Sequence, residues 1–259
     1  MIFDEKSNVT VVITSCGRFD LLKKTLSSFE KYNSYPIKKV IITEDSGDNA
    51  VYDSLPEKWA PYTEIILNEK KLGQIKSIDL AYSKVDTDYI FHCEDDWEFY
   101  RDNFIEDSLC LLENDDKLLQ VWLRDYDDDI KKYYSFISIE DNKKFNNIQF
   151  SRIKSTHSMM RGFSFNPGIK RLADYQKIGQ YNIGKSSDLT EGVLSIAYSM
   201  YGMYVVILKK SAVKHIGWDN HIPTDKEIFK KSKKIKYISV GFFSGVVITS
   251  ALIYLMKSI

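Results

Sequence analysis

The chain has 259 residues, with 44% apolar and 28% charged side chains, enough to bury a substantial core and too apolar for intrinsic disorder. Its 36 basic and 36 acidic residues balance overall, but seven of the basic ones fall in residues 225–259 beside only Asp225 and Glu227. Residues 1–224 therefore hold 29 basic against 34 acidic side chains, a net charge of −5, which argues against nucleic acid as the partner.

The three cysteines, Cys16, Cys93 and Cys110, are widely spaced and form neither a CxxC pair nor a disulfide framework. A reducing compartment is expected, and a zinc site built on them is not. Aromatic residues make up 14% of the chain, with 17 Tyr, a composition that suits a sugar or nucleotide pocket. The opening stretch MIFDEKSNVTVV lacks the basic-then-apolar pattern of a signal peptide.

The first hundred residues alternate between two textures. Apolar, β-branched runs at VTVVIT (9–14), KKVIIT (38–43), TEIIL (63–67) and TDYIFH (87–92) predict strands. Between them, RFDLLKKTLSSFEKY (18–32) places Phe19, Leu21, Leu22, Leu26 and Phe29 at helical spacing, and GQIKSIDLAYSK (73–84) reads the same way. Strands alternating with helices predict βαβ units and a mostly parallel sheet flanked by helices, and runs this apolar are expected to be covered on both faces. A helix near DNFIEDSLCLLEND and a strand at KLLQVWLR (117–124) follow. The texture then turns irregular, predicting short strands and loops with an antiparallel element. A helix after Asn166-Pro167-Gly168, another over 189–200 and a strand at MYVVIL (203–208) complete a body of residues 1–221, read as one domain.

Beyond it, KEIFKKSKKIK (226–236) has six Lys and one Glu, and YISVGFFSGVVITSALIYLM (237–256) has no charge over twenty residues. As a helix that stretch would run roughly 30 Å, the hydrocarbon thickness of a bilayer. The expectation is a tether over 222–236 and a C-terminal transmembrane helix over 237–256. The lysine asymmetry puts the body on the cytoplasmic side and suits anionic lipid. Gly241 and Gly245 form a GxxxG, a spacing that pairs membrane helices and admits a homodimer.

In open α/β sheets ligands bind beyond the carboxyl ends of the strands. After the first strand come Thr14, Ser15, Cys16, Gly17 and Arg18, after the second Glu44-Asp45-Ser46-Gly47, and after the fourth Glu94-Asp95-Asp96. No G-x-G-x-x-G follows the first strand and no G-x-x-x-x-G-K-[ST] occurs, so neither a dinucleotide fingerprint nor a P-loop is present. Three adjacent carboxylates at the end of a buried strand are an electrostatic problem. Either they open a helix, where acidic residues are favoured, or something positive meets them. A second acidic run, RDYDDDI (124–130), reads as a solvated loop from which Asp125 could face the site.

The stretches VTVVITSCGRFDLLKKTLSSF, KKVIITEDSGD and NEKKLGQIKSIDLAYSKVDTDYIFHCEDDWEF, in this order and spacing, resemble the glycosyltransferases of family 2, which have a GT-A fold. The resemblance is closest over residues 9–99 and continues more loosely to about 221. It implies a Rossmann-type, GT-A-like α/β domain. Glu94, Asp95 and Asp96 would hold Mn²⁺ or Mg²⁺ against the diphosphate of a sugar nucleotide, expected to be a UDP-sugar. Glu-Asp-Asp stands where the family more often has Asp-x-Asp, which leaves open which carboxylates ligate. The resemblance assigns Thr14, Ser15 and Arg18 to the nucleotide pocket, Asp45 to the base or ribose, Asp95 to the donor as well, and Lys71 and Gln74 to the phosphates or ribose. It allows His215 to reach the metal or diphosphate, and Trp97 to lie beneath the donor sugar or in the core. Arg161, Asn166 and Pro167 would contact the acceptor. In SSDLTEGVLSIAYSMYG, Glu191 is the candidate general base of an inverting transfer and Asp188 the alternative, either of which could instead merely cap the helix. The acceptor would be a glycan or lipid-linked glycan near the membrane, as in polysaccharide biosynthesis. Two rival readings share these features. One is a sugar nucleotidyltransferase, which would ordinarily carry a Gly-rich basic loop after the first strand. The other is a non-catalytic, membrane-anchored binding module with the same fold.

Overall fold

The computed structural model of the chain describes residues 1–218. His221, the lysine-rich tether and the apolar stretch 237–256 lie outside the described residues. Among the described residues no helix is long and apolar enough to cross a membrane. The chain divides into two compact units, Met1–Gly217 and Trp218–Ile259, and every element below belongs to the first.

Five strands form the main sheet in the order β10-β4-β1-β2-β3. Strands β1 (Val9–Ser15), β2 (Lys39–Glu44), β3 (Thr63–Leu67) and β4 (Tyr89–Glu94) are parallel, and β10 (Gly168–Arg171) adds an antiparallel edge to β4. All seven residues of β1 are buried, as expected of a central strand covered on both faces. Helices α1 (Phe19–Tyr32) and α2 (Gln74–Tyr82) are the crossovers. In α1 the buried Leu21, Leu22, Thr25, Leu26 and Phe29 recur at helical spacing, with Asp20 in the first turn and Lys31 in the last, where each charge suits the helix dipole.

The main sheet has one core on each face. Val9, Val11, Ile13, Phe91 and Cys93 pack with α1 and with α3 (Phe104–Asn114). Val12, Ile41 and Ile90 pack with Ile75, Ile78 and Tyr82 of α2. This is the period-two alternation of strand side chains. Phe29 is the hub of the first core, with ring centroids 5.1–6.1 Å from Trp59, Phe91, Phe99 and Phe104.

A second sheet has the order β6-β11-β9-β7. Here β6 (Leu118–Trp122) and β11 (Tyr204–Leu208) are parallel, β9 (Ile148–Ser155) runs antiparallel to β11, and β7 (Ile137–Ile139) and β8 (Lys143–Phe145) pair with β9. The two sheets meet where β10 passes β6: a Cβ on Gly168 would lie 3.0 Å from the Val121 carbonyl oxygen, so the approach requires glycine. The acidic run at 124–130 is a π turn (Tyr126–Ile130) leading into the one-turn helix α4 (Lys131–Tyr133). Directly after Asn166-Pro167 the chain is strand β10 rather than helix. The helix, α5 (Leu172–Ile178), begins four residues later, because residues 168–171 complete the edge of the main sheet. Helix α6 spans Ser187–Met200. Two short strands that sequence patterning does not reveal, β5 (Trp97–Phe99) and β12 (Val213–His215), form a separate antiparallel pair.

Truncating the aromatic hub tests this description. Phe29→Ala should cost about 3–5 kcal/mol in denaturant unfolding. Met200→Ala, at a side chain 82% exposed, should stay within about 0.5 kcal/mol.

Candidate active site

The parallel register brings three strand ends level. Ser15 of β1 lies opposite Glu44 of β2, and Thr14 lies opposite Glu94 of β4. Gly17, at φ +70°, turns the chain after β1 so that Arg18 can lead into α1.

The acidic run does not open a helix; it forms a turn between β4 and β5. Arg18 is its counter-charge. The guanidinium forks onto Asp95, with Nη2 on Oδ1 and Nε 3.3 Å from Oδ2, while Nη1 stands 2.7 Å from Asp96 Oδ2. The sequence-based expectation assigned the neutralising role to a bound cation and left Arg18 to the nucleotide, but a guanidinium from the neighbouring strand end already meets two of the three carboxylates. Asp95 is 1% exposed and also accepts the Cys16 N–H at 3.3 Å, so it serves as the anchor of the loop after β1. Burial pushes its pKa up to about 6, against the pull of Arg18. Thr25 of α1 locks the turn from beneath, donating its hydroxyl to the Asp95 carbonyl (2.8 Å) and accepting the Trp97 N–H (3.1 Å).

Asp96 faces three ways. Its Oδ2 meets Arg18 and, at 3.1 Å, His215 Nε2; its carbonyl accepts the Ile216 N–H at 2.8 Å; its Oδ1 is buried with no partner among the described residues. Burial alone would raise its pKa, but the His215 hydrogen bond and the Arg18 charge hold it below the ordinary aspartate range. His215 arrives through the β5–β12 pair, in which it lies opposite Trp97. Trp97 is a core residue, 1% exposed, packed edge-on against His215, under the Arg124 guanidinium, and donating its Nε1–H to Glu94 Oε2 at 3.1 Å. Gln74, the first residue of α2, donates to Glu94 Oε1 at 2.6 Å. Burial, with the Asp96 charge behind it, pushes Glu94 up to about 8.

Asp45 is 5% exposed and engaged within the protein. Oδ1 accepts from Asn68 (2.8 Å) and from the Leu72 N–H (2.7 Å), and Oδ2 accepts from the Gly73 N–H (2.8 Å). It pins the loop before α2, the service that a buried carboxylate renders to backbone donors. Its neighbour Glu44, not singled out from the sequence, accepts the Gly17 and Ser46 N–H groups on Oε1 and leaves a buried Oε2 without a partner among the described residues. The adjacent acidic pair was the available signal. Thr14 and Ser15 are buried at the same edge, the Ser15 hydroxyl unpaired. Lys71 is exposed, close enough for its charge to act on Cys16.

Glu191 comes from α6, far along the chain from the acidic turn. It accepts the Phe165 N–H at 2.6 Å and the Ser164 hydroxyl at 3.3 Å, and its charge reaches Glu94. Gln120 of β6 sets that segment by bonding both the N–H and the carbonyl of Ser164. Burial raises Glu191 to about 7, with the Phe165 bond and the nearby Lys170 charge pulling the other way. Asp188 is exposed in the first turn of α6. Lys170 on β10, for which the sequence offered no signal, is 2% exposed, with its ammonium over Phe163 and Phe165 and without a hydrogen-bond partner among the described residues. Burial drives its pKa down to about 7 against Glu191 and Glu94. On the acceptor-side segment, Arg161 is exposed and Asn166 half-buried. The rival acidic run is structural: Asp125 accepts the Asp128 N–H and the Ser211 hydroxyl, and Asp129 pairs with Arg124.

A divalent cation fits part of this arrangement. Adjacent ligands of an octahedral ion bound at roughly 2.0–2.1 Å stand about 3 Å apart, and Asp96 Oδ2 and His215 Nε2 are 3.1 Å apart. Among the described residues no cluster of three or more His, Cys, Asp or Glu side chains could hold an ion by itself. The other ligands would be diphosphate and water oxygens, an ordinary mode for such ions. An imidazole ligand suits a first-row transition ion better than Mg²⁺.

Residues 10–171 match the profile of the family described as Glycosyl transferase family 2. No curated protein matches the chain. Among solved structures it is similar to the mannosyltransferase PcManGT from Pyrobaculum calidifontis in complex with GDP-Man and Mn²⁺, with a TM-score of 0.60 and 10% identity over 84% of this chain and 60% of that one. It is similar to S. aureus TarS 1–349, at 0.58 and 14% identity over 82% and 60%. It is also similar to GalNAc-T7 with UDP, GalNAc and Mn²⁺, at 0.59 and 14% identity over 83% and 45%. The chain thus spans less than two thirds of the length of these structures, and at such identities the likeness is one of fold.

Gly217 closes over the acidic turn: a Cβ there would lie 2.4 Å from Asp96 Oδ2 and 2.7 Å from Asp96 Cβ. Gly217→Ala should therefore displace the turn and cost about 1–3 kcal/mol as overpacking. Denaturant unfolding gives the cost, and faster hydrogen exchange at the Ile216 amide would show the displacement.

Proposed function

The chain belongs to glycosyl transferase family 2, and from that premise we propose that it transfers a sugar, with inversion, from a nucleoside-diphosphate sugar to a hydroxyl of a glycan or lipid-linked acceptor. A UDP-sugar is the first donor to test. The observation that carries the reading is that Glu191, far along the chain from the acidic turn, has its carboxylate within electrostatic reach of Glu94 at the strand end. In this reading donor-side and acceptor-side carboxylates serve one site.

The chemistry follows from the groups present. Glu191 takes the acceptor hydroxyl proton as that oxygen bonds to the anomeric carbon. The bond from that carbon to the diphosphate oxygen breaks on the opposite face, and the diphosphate leaves with the electron pair. Phe165 N–H and Ser164 orient the Glu191 carboxylate, and Lys170 favours its ionised form. Asp96 and His215 would hold Mn²⁺ or Mg²⁺, which when bound neutralises charge on the leaving diphosphate. In this reading the lysine-rich segment and the uncharged stretch 237–256 hold the domain at the cytoplasmic face of a membrane, near a membrane-borne acceptor, and the GxxxG offers a pairing face for a homodimer.

Donor turnover by the full chain, measured with a panel of sugar nucleotides with and without Mn²⁺, tests the reading. Glu191→Gln should lower kcat by about 10²–10⁴-fold while donor binding persists. Asp96→Ala should remove Mn²⁺-dependent nucleotide binding as well. A chain that binds nucleotide sugars but turns none over, with or without acceptor, would instead be a binding module.

The pH profile has a definite sign. A base must be deprotonated, and burial raises Glu191 to about 7, so kcat should fall about tenfold per unit below that value and level off above it. A kcat flat between pH 5 and 8 would remove Glu191 from the role.

A further inference from the structure

Arg18 sits in the loop after β1, where a pocket-lining cation is expected, yet its guanidinium is turned onto the acidic turn. Its two links there differ in kind. The fork onto Asp95 joins a carboxylate 1% exposed and braced by Cys16 N–H and Thr25, so it is an anchor. The third contact, Nη1 to Asp96 Oδ2 at 2.7 Å, falls on the one oxygen that also stands 3.1 Å from His215 Nε2. A divalent cation held by Asp96 and His215 would share that oxygen with a guanidinium, and two cations on one carboxylate oxygen repel strongly at such separations. The Arg18 side chain is 21% exposed against 7% for Asp96, so it is the more open of the two to an incoming solute. A planar guanidinium also suits paired phosphate oxygens.

Resting on the reading of this site as a sugar-nucleotide centre, we propose that Arg18 is an internal counter-ion that keeps Asp96 from holding a divalent cation until a nucleoside diphosphate is present. The diphosphate supplies acceptors for Nη1, Asp96 Oδ2 is released to the cation, and Asp95 keeps the arginine in place throughout. Cation and diphosphate then bind as a coupled pair, each raising the other's affinity by the same factor. In their absence the turn is charge-compensated from within the chain.

The test is Mn²⁺ binding to the full chain in detergent, followed by the paramagnetic resonance of free Mn²⁺, without nucleotide and with UDP or GDP. The informative variant is the pair Arg18→Met with Asp95→Asn, which neutralises both halves of the buried fork and leaves Asp96 to its His215 contact. It should bind Mn²⁺ alone at least about tenfold tighter than wild type and gain less from UDP or GDP. Asp95→Asn by itself leaves Arg18 wholly to Asp96 and should bind Mn²⁺ alone no tighter than wild type. A folded double variant with wild-type affinity for Mn²⁺ alone overturns the inference. Should the double variant not fold, Arg18→Lys, whose single ammonium cannot span both carboxylates, is expected to move nucleotide-free affinity in the same direction, and an unchanged value overturns the inference equally. A wild-type chain whose Mn²⁺ binding is no tighter with UDP or GDP than without would remove the sugar-nucleotide reading itself, and the counter-ion role with it.

Discussion

The Arg18 fork on Asp95 and Asp96 is the constraint around which this domain is arranged. Carboxylates drawn together at the end of a buried strand are costly unless paired and hydrogen-bonded. Here the cation comes from the adjacent strand end, on the residue immediately before α1, so the loop after β1, the N-terminus of α1 and the β4–β5 turn are tied into one body. Thr25 holds the same turn from α1, and the β5–β12 pair delivers His215 to Asp96 from the end of the unit. The compensation is nevertheless incomplete, because Asp96 Oδ1 is left buried without a partner among the described residues. Most buried polar atoms in folded proteins are paired.

The other half of the site depends on the junction of two sheets. Gly168 lets β10 pass close to β6, Gln120 on β6 fixes Ser164, and the Ser164–Phe165 segment orients Glu191. Lys170, on the same edge strand, puts a buried positive charge near Glu191 and Glu94. Two carboxylates with raised pKa values and one lysine with a lowered value thus stand in one region. Clustered perturbations of this sort arise where burial and charge are arranged for chemistry. The chain belongs to glycosyl transferase family 2, and its likeness to the solved structures is one of fold.

Much of the fold was legible because local pattern and tertiary role coincide. The four parallel strands and their crossover helices follow from apolar β-branched runs alternating with helix-period segments. Glu94-Asp95-Asp96 stand at the carboxyl end of β4 as the apolar run before them predicts, and the chain's own motifs pointed to the family. Legibility failed where structure depends on distant pairing. The segment after Asn166-Pro167 read as a helix and is an edge strand, since four residues carry too little periodicity to compete with an open edge of β4. Asp45 read as a donor contact, and its oxygens are taken by a loop some two dozen residues away. Nothing near Lys170 marked it as buried.

What the amino-acid sequence determined by itself is the architecture of the first hundred residues and the list of polar groups at its rim, because side-chain periodicity and strand-end position are local properties. Which of those groups are partners was decided only in three dimensions. Arg18 is a pocket residue in the sequence and the counter-ion of Asp95 and Asp96 in the fold. His215 is an isolated polar residue until a short strand pair carries it to the turn after β4, and Glu191 until the Ser164–Phe165 segment meets it. The reason is physical. Charge compensation acts through space over a few ångströms, and residues far apart in the chain come within that range only once the sheets have packed.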